Sequence, residues 1–134
     1  MFAALGATTL LAAEQPQAMN VDGRFFVSGS TTPLLDPSLS VKFQIMDPNK
    51  TCVLYEETRT LNTQASNGFF SLQIGSEPRA LPGDPSVRTA NDANYPMSRV
   101  FNNFLNTFPV RADCAAGYSP SSGDGRLLRI TITP

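Results

Sequence analysis

The residues that could perform chemistry are few, and the commonest of them is missing. The chain has no histidine, so it lacks the usual general base and cannot form a Ser–His or Cys–His pair. Its two lysines, Lys42 and Lys50, fall in a predicted strand and a predicted turn with no activating neighbour. Glu56 and Glu57 are adjacent, so in a strand they face opposite sides and cannot act as a catalytic pair. The sequence therefore predicts a protein that is not an enzyme and that has no catalytic residues and no cofactor.

The two cysteines suggest a covalent link. Cys52 and Cys114 are the only thiols in a chain whose start looks like an export signal, which predicts one disulfide between them. The alternatives are two reduced, separately buried thiols or a metal site. Two cysteines without histidine fall short of a closed zinc shell. The aspartates lie mostly in turns and lack the spaced carboxylates of a calcium loop, so no metal is expected.

The beginning of the chain differs in composition from the rest. Residues 1–12 are apolar or small and carry no charge, which is typical of the core of a secretory signal peptide. The stretch is too short to span a bilayer as a helix, so no transmembrane segment is predicted. We interpret residues 1–18 as a signal-like or docking segment and residues 19–134 as a single β-rich domain. An extracellular or cell-surface location follows as the expectation.

Overall charge limits the partners. The net charge is −1 and only 16% of residues are charged, so there is no basic field that would attract nucleic acid. Lightly charged surfaces rich in Ser, Thr and Asn are typical of extracellular β domains. No nucleic-acid partner is predicted.

Alternating apolar and polar residues predict the strands. The clearest alternation covers residues 39–46, and a DPNK turn joins it to a strand over 51–60, which predicts a hairpin. Further strands are expected at 20–28, 66–75 and 126–134. A helix is expected over residues 95–108, where Met97, Phe101, Phe104 and Leu105 recur at helical spacing. Residues 75–95, rich in Pro, Gly, Asn and Asp, read as a long loop. The predicted fold is mainly β, an antiparallel β-sandwich-like domain with one short helix and one disulfide.

Phenylalanines occur in two doublets that suggest an interface. Residues 25–26 and 69–70 are both Phe-Phe, and in a strand each pair places one ring on each face. One ring of each pair should enter the core, whereas the other must pack under a helix, a loop or another chain. Phe26 and Phe69 are the candidates for an interface, together with Leu10 and Leu11 of the uncharged stretch 1–12.

Several blocks of the sequence resemble a known module. They are VDGRFFVSGSTTPL, SVKFQIMDPNKTCVLYEET and SNGFFSLQIGS, followed by a Phe-rich predicted helix, a cysteine and GDGRLLRITI. In this order they resemble the amino-terminal domain of the mosaic adhesive trimer fibre proteins of predatory bacteria. The matching positions are Gly23, Arg24, Phe43, Ile45, Asp47, Pro48, Cys52, Val53, Leu54, Tyr55, Glu57, Gly68, Phe70, Ile74, Gly75, Phe101, Cys114, Asp124, Arg126, Leu127 and Leu128.

The resemblance covers about residues 20–133, and its most specific part is the Pro48–Glu57 block. It implies an exported, disulfide-linked β module on a surface fibre, without catalysis. In the long fibre proteins such a domain precedes a trimeric shaft and a receptor-binding tip, and this sequence contains neither.

Two classes of function follow as hypotheses. The first is a structural or assembly module of an extracellular adhesive fibre or filament, a homo-oligomer (trimer or filament). In this hypothesis residues 3–20 act as an extended segment that adds a strand to a neighbouring subunit. The alternative is a carbohydrate- or peptide-binding domain for a cell-surface ligand, with Tyr95, Tyr118 and the loop at 90–95 lining its site.

Overall fold

Five strands and one short helix make up the described part of the molecule. A computed structural model of the chain describes residues 18–75 and 88–133. The elements, in chain order, are β1 (Met19–Arg24), β2 (Leu39–Met46), β3 (Val53–Leu61), β4 (Phe69–Ile74), α1 (Met97–Val100) and β5 (Leu127–Thr133). All five strands lie where alternation predicts them, although β1 ends at Arg24, before the first phenylalanine doublet. The predicted mainly β class is confirmed.

The strands form two antiparallel sheets. One has the order β3-β2-β5, with β2 in the centre, and the other is the pair β1-β4. The predicted hairpin of β2 and β3 is confirmed, and its register shifts at Ile45–Met46, next to the turn. The sheets meet through aromatic side chains: the ring centroid of Phe70 on β4 lies 4.5 Å from that of Phe25 and 6.3 Å from that of Phe43 on β2. This arrangement confirms the sandwich-like fold.

The core lies between the sheets and continues under the helix. Alternate residues of β2 face it, and Phe43 and its neighbours on that face are fully buried. Burying a side chain of this size removes enough apolar surface from water to contribute about 2–3 kcal/mol. The buried core residues are Val21, Phe25, Leu39, Val41, Phe43, Ile45, Cys52, Leu54, Tyr55, Ile74, Met97, Val100, Phe108 and Cys114.

Cys52 and Cys114 form the predicted disulfide. The backbone around it is paired as well, since the N–H of Val53 donates to the carbonyl of Asp113 over 2.8 Å. The link therefore attaches the segment after the helix to the start of β3. No free cysteine is found among the residues of the described ranges.

The helix is much shorter than the sequence predicts. Only Met97–Val100 are helical, so the expectation that Phe104 and Leu105 belong to a helix face is wrong. In a longer helix the carbonyl of Val100 would accept from the N–H of Phe104, but Arg126 Nε donates to that carbonyl over 2.6 Å. The N–H of Phe104 instead donates to the side-chain oxygen of Asn102, and Leu105 adopts a positive φ of 46°.

Candidate functional site

Two exposed phenylalanine rings enclose an arginine at one end of the β1-β4 sheet. The guanidinium carbon of Arg24 lies 4.5 Å from the ring centroid of Phe69 and 5.2 Å from that of Phe26. The two side chains are 54% and 45% exposed, respectively, so the rings remain open to solvent. We call these three residues the Arg24 cluster. The sequence proposed both phenylalanines as interface residues, and the structure brings them together around a cation that it did not single out.

A tight turn positions this cluster. Asn67 and Gly68 both have positive φ, and the carbonyl of Gly68 accepts from the N–H of Phe25 over 2.9 Å. A Cβ at position 68 would lie 2.9 Å from the carbonyl oxygen of Phe25, so glycine is required there. The turn places Phe69 directly opposite Arg24 in the β1-β4 register. Phe26 is held on the other side by an isolated antiparallel bridge to Pro33.

An open groove of about 650 Å³ runs along the Arg24 cluster. It is lined by aromatic residues together with Ser66, Ser71 and Asp22, and Phe26 of the cluster is not among its lining residues. Aromatic side chains and arginine are the residue types that dominate binding energy at protein contacts, because they bury large areas with few rotatable bonds. The surface is therefore suited to contact with another polypeptide. Its full lining is Asp22, Gly23, Arg24, Ser66, Phe69, Phe70 and Ser71.

A second exposed surface is the outer edge of β5. This strand pairs with β2 along its full length. Leu128 and Ile130 are 39% and 37% exposed, although their cross-strand partners on β2, Ile45 and Phe43, are buried. Directly opposed residues in an antiparallel pair point to the same face of the sheet. Leu128 and Ile130 therefore lie on the core face of the sheet but are not covered by other residues as Ile45 and Phe43 are.

The adjacent glutamates of β3, Glu56 and Glu57, accept hydrogen bonds from other groups of the protein. Glu57 is fully buried and accepts from the hydroxyl of Tyr55, from the N–H of Gly75 over 3.0 Å, and from Arg59 Nε over 2.6 Å. Burial, followed by the hydrogen bond to Glu57, raises the pKa of Tyr55 far above its usual value, so its hydroxyl remains a donor. Glu56 accepts from other groups, Thr89 Oγ1 over 2.6 Å and Gln44 Nε2 over 2.7 Å. Both carboxylates are engaged in hydrogen bonds inside the protein.

A buried ion pair holds the loop that follows residue 87. Arg88 Nε lies 3.0 Å from Asp92 Oδ2, and both side chains are almost fully buried. Asp92 Oδ1 accepts from the N–H of Glu56 over 2.9 Å, which ties the loop to β3. Sequence reasoning read residues 88–95 as part of a polar loop and missed this pair. The spacing of four residues was the only available signal, and it is common by chance.

The two tyrosines proposed to line a ligand site stand on either side of Phe108. The ring of Tyr95 meets it edge-on at 5.2 Å and that of Tyr118 stacks at 5.8 Å. Arg99 covers Tyr95 at 4.4 Å and Arg126 covers Tyr118 at 5.3 Å. Partial burial and a hydrogen bond to Asp124 raise the pKa of Tyr118 to about 12. Since their faces pack against other side chains, these rings form part of the core edge.

Comparison with known proteins identifies no relative. No protein-family model, curated protein or solved structure matches this chain. Its function must therefore be argued from its own residues.

The remaining predictions from the sequence concern metals, membranes and the first segment. Within residues 18–75 and 88–133, no group of three or more acidic or cysteine side chains could hold a metal ion. Over the same residues, no helix has the length and apolar character needed to cross a bilayer. Leu10 and Leu11 lie outside the described residues, so their interface role stays a prediction.

Proposed function

We propose that this chain is a non-enzymatic structural module that assembles into a homo-oligomeric fibre or filament outside the cell. The observation that carries the proposal is the Arg24 cluster, in which two exposed aromatic rings, one on β4 and one just after β1, lie on either side of an arginine. Exposing rings costs free energy, because each buried aromatic side chain contributes about 2–3 kcal/mol. A rigid surface of this kind is typical of a site covered by another chain.

The interior gives a second line of support. In the described part of the chain, every buried polar side-chain atom has a hydrogen-bond partner. The carboxylates of β3 and the Arg88–Asp92 pair are used to attach loops and strands to one another. These polar groups therefore have a structural role, as the proposal expects.

Export is part of the proposal. A disulfide is present, and disulfides persist mainly in oxidising compartments such as the cell exterior. The low charge, the signal-like first residues and the resemblance to adhesive fibre domains agree with this location. Adhesion follows as the role of the assembled fibre.

The first segment supplies the assembly step in its most specific form. Residues 3–18 of one copy add a strand to an edge of a neighbouring copy, with Leu10 and Leu11 as apolar anchors. Main-chain pairing at a sheet edge gives affinity without requiring a deep pocket. Deleting residues 1–18 should therefore leave the fold intact, as seen by circular dichroism, while shifting the oligomer to smaller species in sedimentation velocity. An oligomer of unchanged size would contradict docking through this segment.

The Arg24 cluster is tested separately by the double variant Phe26→Ser, Phe69→Ser. We expect it to shift the oligomer to smaller species at equal protein concentration, with an unchanged thermal midpoint because both rings are already half-exposed. Phe104→Ser is the matched control, since it removes an exposed ring elsewhere on the molecule. If the control and the double variant sediment alike, the cluster is not an assembly surface.

The groove favours one alternative, a peptide- or carbohydrate-binding module. It combines ring faces with hydroxyls and both signs of charge, which suits an extended polar ligand better than the covered tyrosines do. A glycan and peptide array probed with the variant that lacks residues 1–18 tests it. Binding that Arg24→Ala removes would favour this alternative, whereas a blank array favours assembly.

A further inference from the structure

We propose that β5 is a self-association edge, which pairs antiparallel with β5 of a second copy about a twofold axis at Ile130. The result is one continuous sheet of six strands in the order β3-β2-β5-β5-β2-β3. This goes beyond the proposed function, because it uses neither the Arg24 cluster nor the first segment.

The main chain of β5 offers a complete free edge. The strand has seven residues, and each pairs with β2 on its inner side. On its outer side, no backbone hydrogen bond joins Leu127–Thr133 to any other described residue. A row of unpaired N–H and carbonyl groups is a template on which a further strand can form.

The usual protection of an edge strand is missing from β5. Natural sheets guard their edges with lysine, proline, bulges or charges that point inward. Residues 127–133 contain no lysine and no proline, and their one charge is Arg129. Its Nε donates to Gln44 Oε1 over 2.9 Å, so this side chain is directed towards β2 and away from the free edge. The register on that side also runs without a bulge.

The side chains supply the apolar component. Leu128, Ile130 and Ile132 share the core face, and the first two are more than one-third exposed. A strand added at the edge would bring a second row of side chains into contact with them at about 4.5–5.5 Å between Cβ atoms. Burial of these residues then extends the existing core face across the junction.

A second copy of β5 fits this edge because the strand is complementary to itself. With Ile130 opposite Ile130, Leu128 meets Ile132 and Arg129 meets Thr131, so all seven residues pair. Every core-face pair is apolar, and no arginine faces another arginine, which avoids the repulsion of directly opposed like charges. A twofold contact of this kind is isologous, the commonest form of contact in homo-oligomers.

Cysteine cross-linking tests both the partner and the register. Ile130→Cys alone should oxidise to a covalent dimer of twice the mass, because residue 130 faces its own copy. Arg129→Cys and Thr131→Cys should each give no covalent dimer alone. When the two variants are mixed they should form a disulfide-linked heterodimer, since residue 129 of one copy lies opposite residue 131 of the other. Directly opposed residues in an antiparallel pair alternate between hydrogen-bonded and non-hydrogen-bonded positions, and side chains are closer in the second. One of the two cysteine pairs, 130–130 or 129–131, therefore has the closer Cβ atoms.

Three results would overturn the proposal. One is the absence of covalent dimer in both experiments, and another is equal cross-linking of Arg129→Cys alone, which would mean a different register. The third is loss of the cross-link when residues 1–18 are deleted, because the contact would then depend on that segment and not on the pairing of β5 with itself. Retention of the cross-link in the deletion variant, and in the Phe26→Ser, Phe69→Ser variant, supports self-pairing even if the proposed assembly role fails.

A charge at the edge provides an independent measurement in solution. In the chain that lacks residues 1–18, Ile130→Lys should shift sedimentation towards monomer at a concentration where the same chain without this substitution associates. Phe104→Lys is the control, since it adds the same charge at another exposed position. Circular dichroism verifies that both variants keep the sheet. Unchanged association of the folded Ile130→Lys variant would contradict pairing through this edge.

Discussion

Asp47 lies in the turn between β2 and β3 and uses both carboxylate oxygens there. Oδ1 accepts from the N–H of Thr51 over 2.7 Å and from that of Cys52 over 2.8 Å, and Oδ2 accepts from the Thr51 hydroxyl over 2.9 Å. Burial raises the pKa of Asp47, but these donors outweigh it and hold the pKa below the ordinary 3.8. The residue thus fixes the backbone immediately before the disulfide.

The pH dependence of stability follows from this lowered pKa. A carboxyl group that titrates lower when folded stabilises the protein above its unfolded pKa, and this contribution is lost as the pH falls through the folded value. Asp47→Asn should lower the free energy of unfolding at pH 7 by about 2 kcal/mol, since hydrogen bonds to a charged group are lost. Urea titrations at several pH values from 7 down to 3 should show a smaller acid-induced loss in the variant.

The exposed Asp22 gives the matched control for this measurement. Asp22→Asn removes a carboxylate on the surface of β1 and should leave the unfolding free energy and its acid dependence close to those of the unmodified chain. Parallel loss of stability in the unmodified chain and in Asp47→Asn would show that another carboxylate is responsible.

At the scale of elements, the end of α1 depends on a distant arginine. Arg126, just before β5, donates to the carbonyl of Val100 and, over 2.9 Å, to the side-chain oxygen of Asn103. Arg99 and Asn106 bind across the same turn, with Arg99 Nη2 donating to the carbonyl of Thr107 over 3.0 Å. The segment after the helix is therefore a hydrogen-bonded loop that exposes Phe104 and Leu105.

Removing this arginine should loosen the loop. Arg126→Ala is expected to speed hydrogen exchange of the amides at 101–107, because the carbonyls of Val100 and Asn102 lose the donor that holds this segment in place. Exchange in β2 and β3 should change far less. Arg126→Lys keeps the charge but not the planar fork, so it should give an intermediate effect. Equal protection of 101–107 in all three proteins would show that the loop does not depend on Arg126.

The contrast between the strands and this loop shows what the sequence could predict. Alternation along β2 is a local pattern, and burial of one face turns it directly into a strand. The helical spacing of residues 97–105 is equally local, yet the helix ends at Val100. There the N–H of Phe104 donates to the side chain of Asn102, and the distant Arg126 donates to the carbonyl of Val100. For the same reason the sequence predicts only part of the Arg24 cluster. The doublets indicate that Phe26 and Phe69 are exposed, whereas their position around Arg24 depends on the pairing of β1 with β4 in the folded chain.

At the scale of the whole molecule, two small sheets share one core. The β1-β4 pair alone would be marginal, since a two-stranded sheet needs a packing partner to be stable. It obtains one from the larger sheet through Phe25, Phe70 and Phe43. The region from α1 to the start of β5 has no strand of that core, and the disulfide attaches it to β3 instead.

The disulfide should accordingly govern global stability. Cys52 and Cys114 are 62 residues apart, and in the chain-entropy model such a closure is worth about 4 kcal/mol. The double variant Cys52→Ser, Cys114→Ser should therefore lower the thermal midpoint by roughly 10–20 °C for a domain of this size. Adding a reductant to the unmodified chain should produce a comparable drop, and adding it to the double variant should produce none. The difference between the reduced unmodified chain and the double variant separates the lost cross-link from any cost of placing two hydroxyls in the core. If reductant leaves the midpoint of the unmodified chain unchanged although mass analysis shows two free thiols, the core alone holds the segments together.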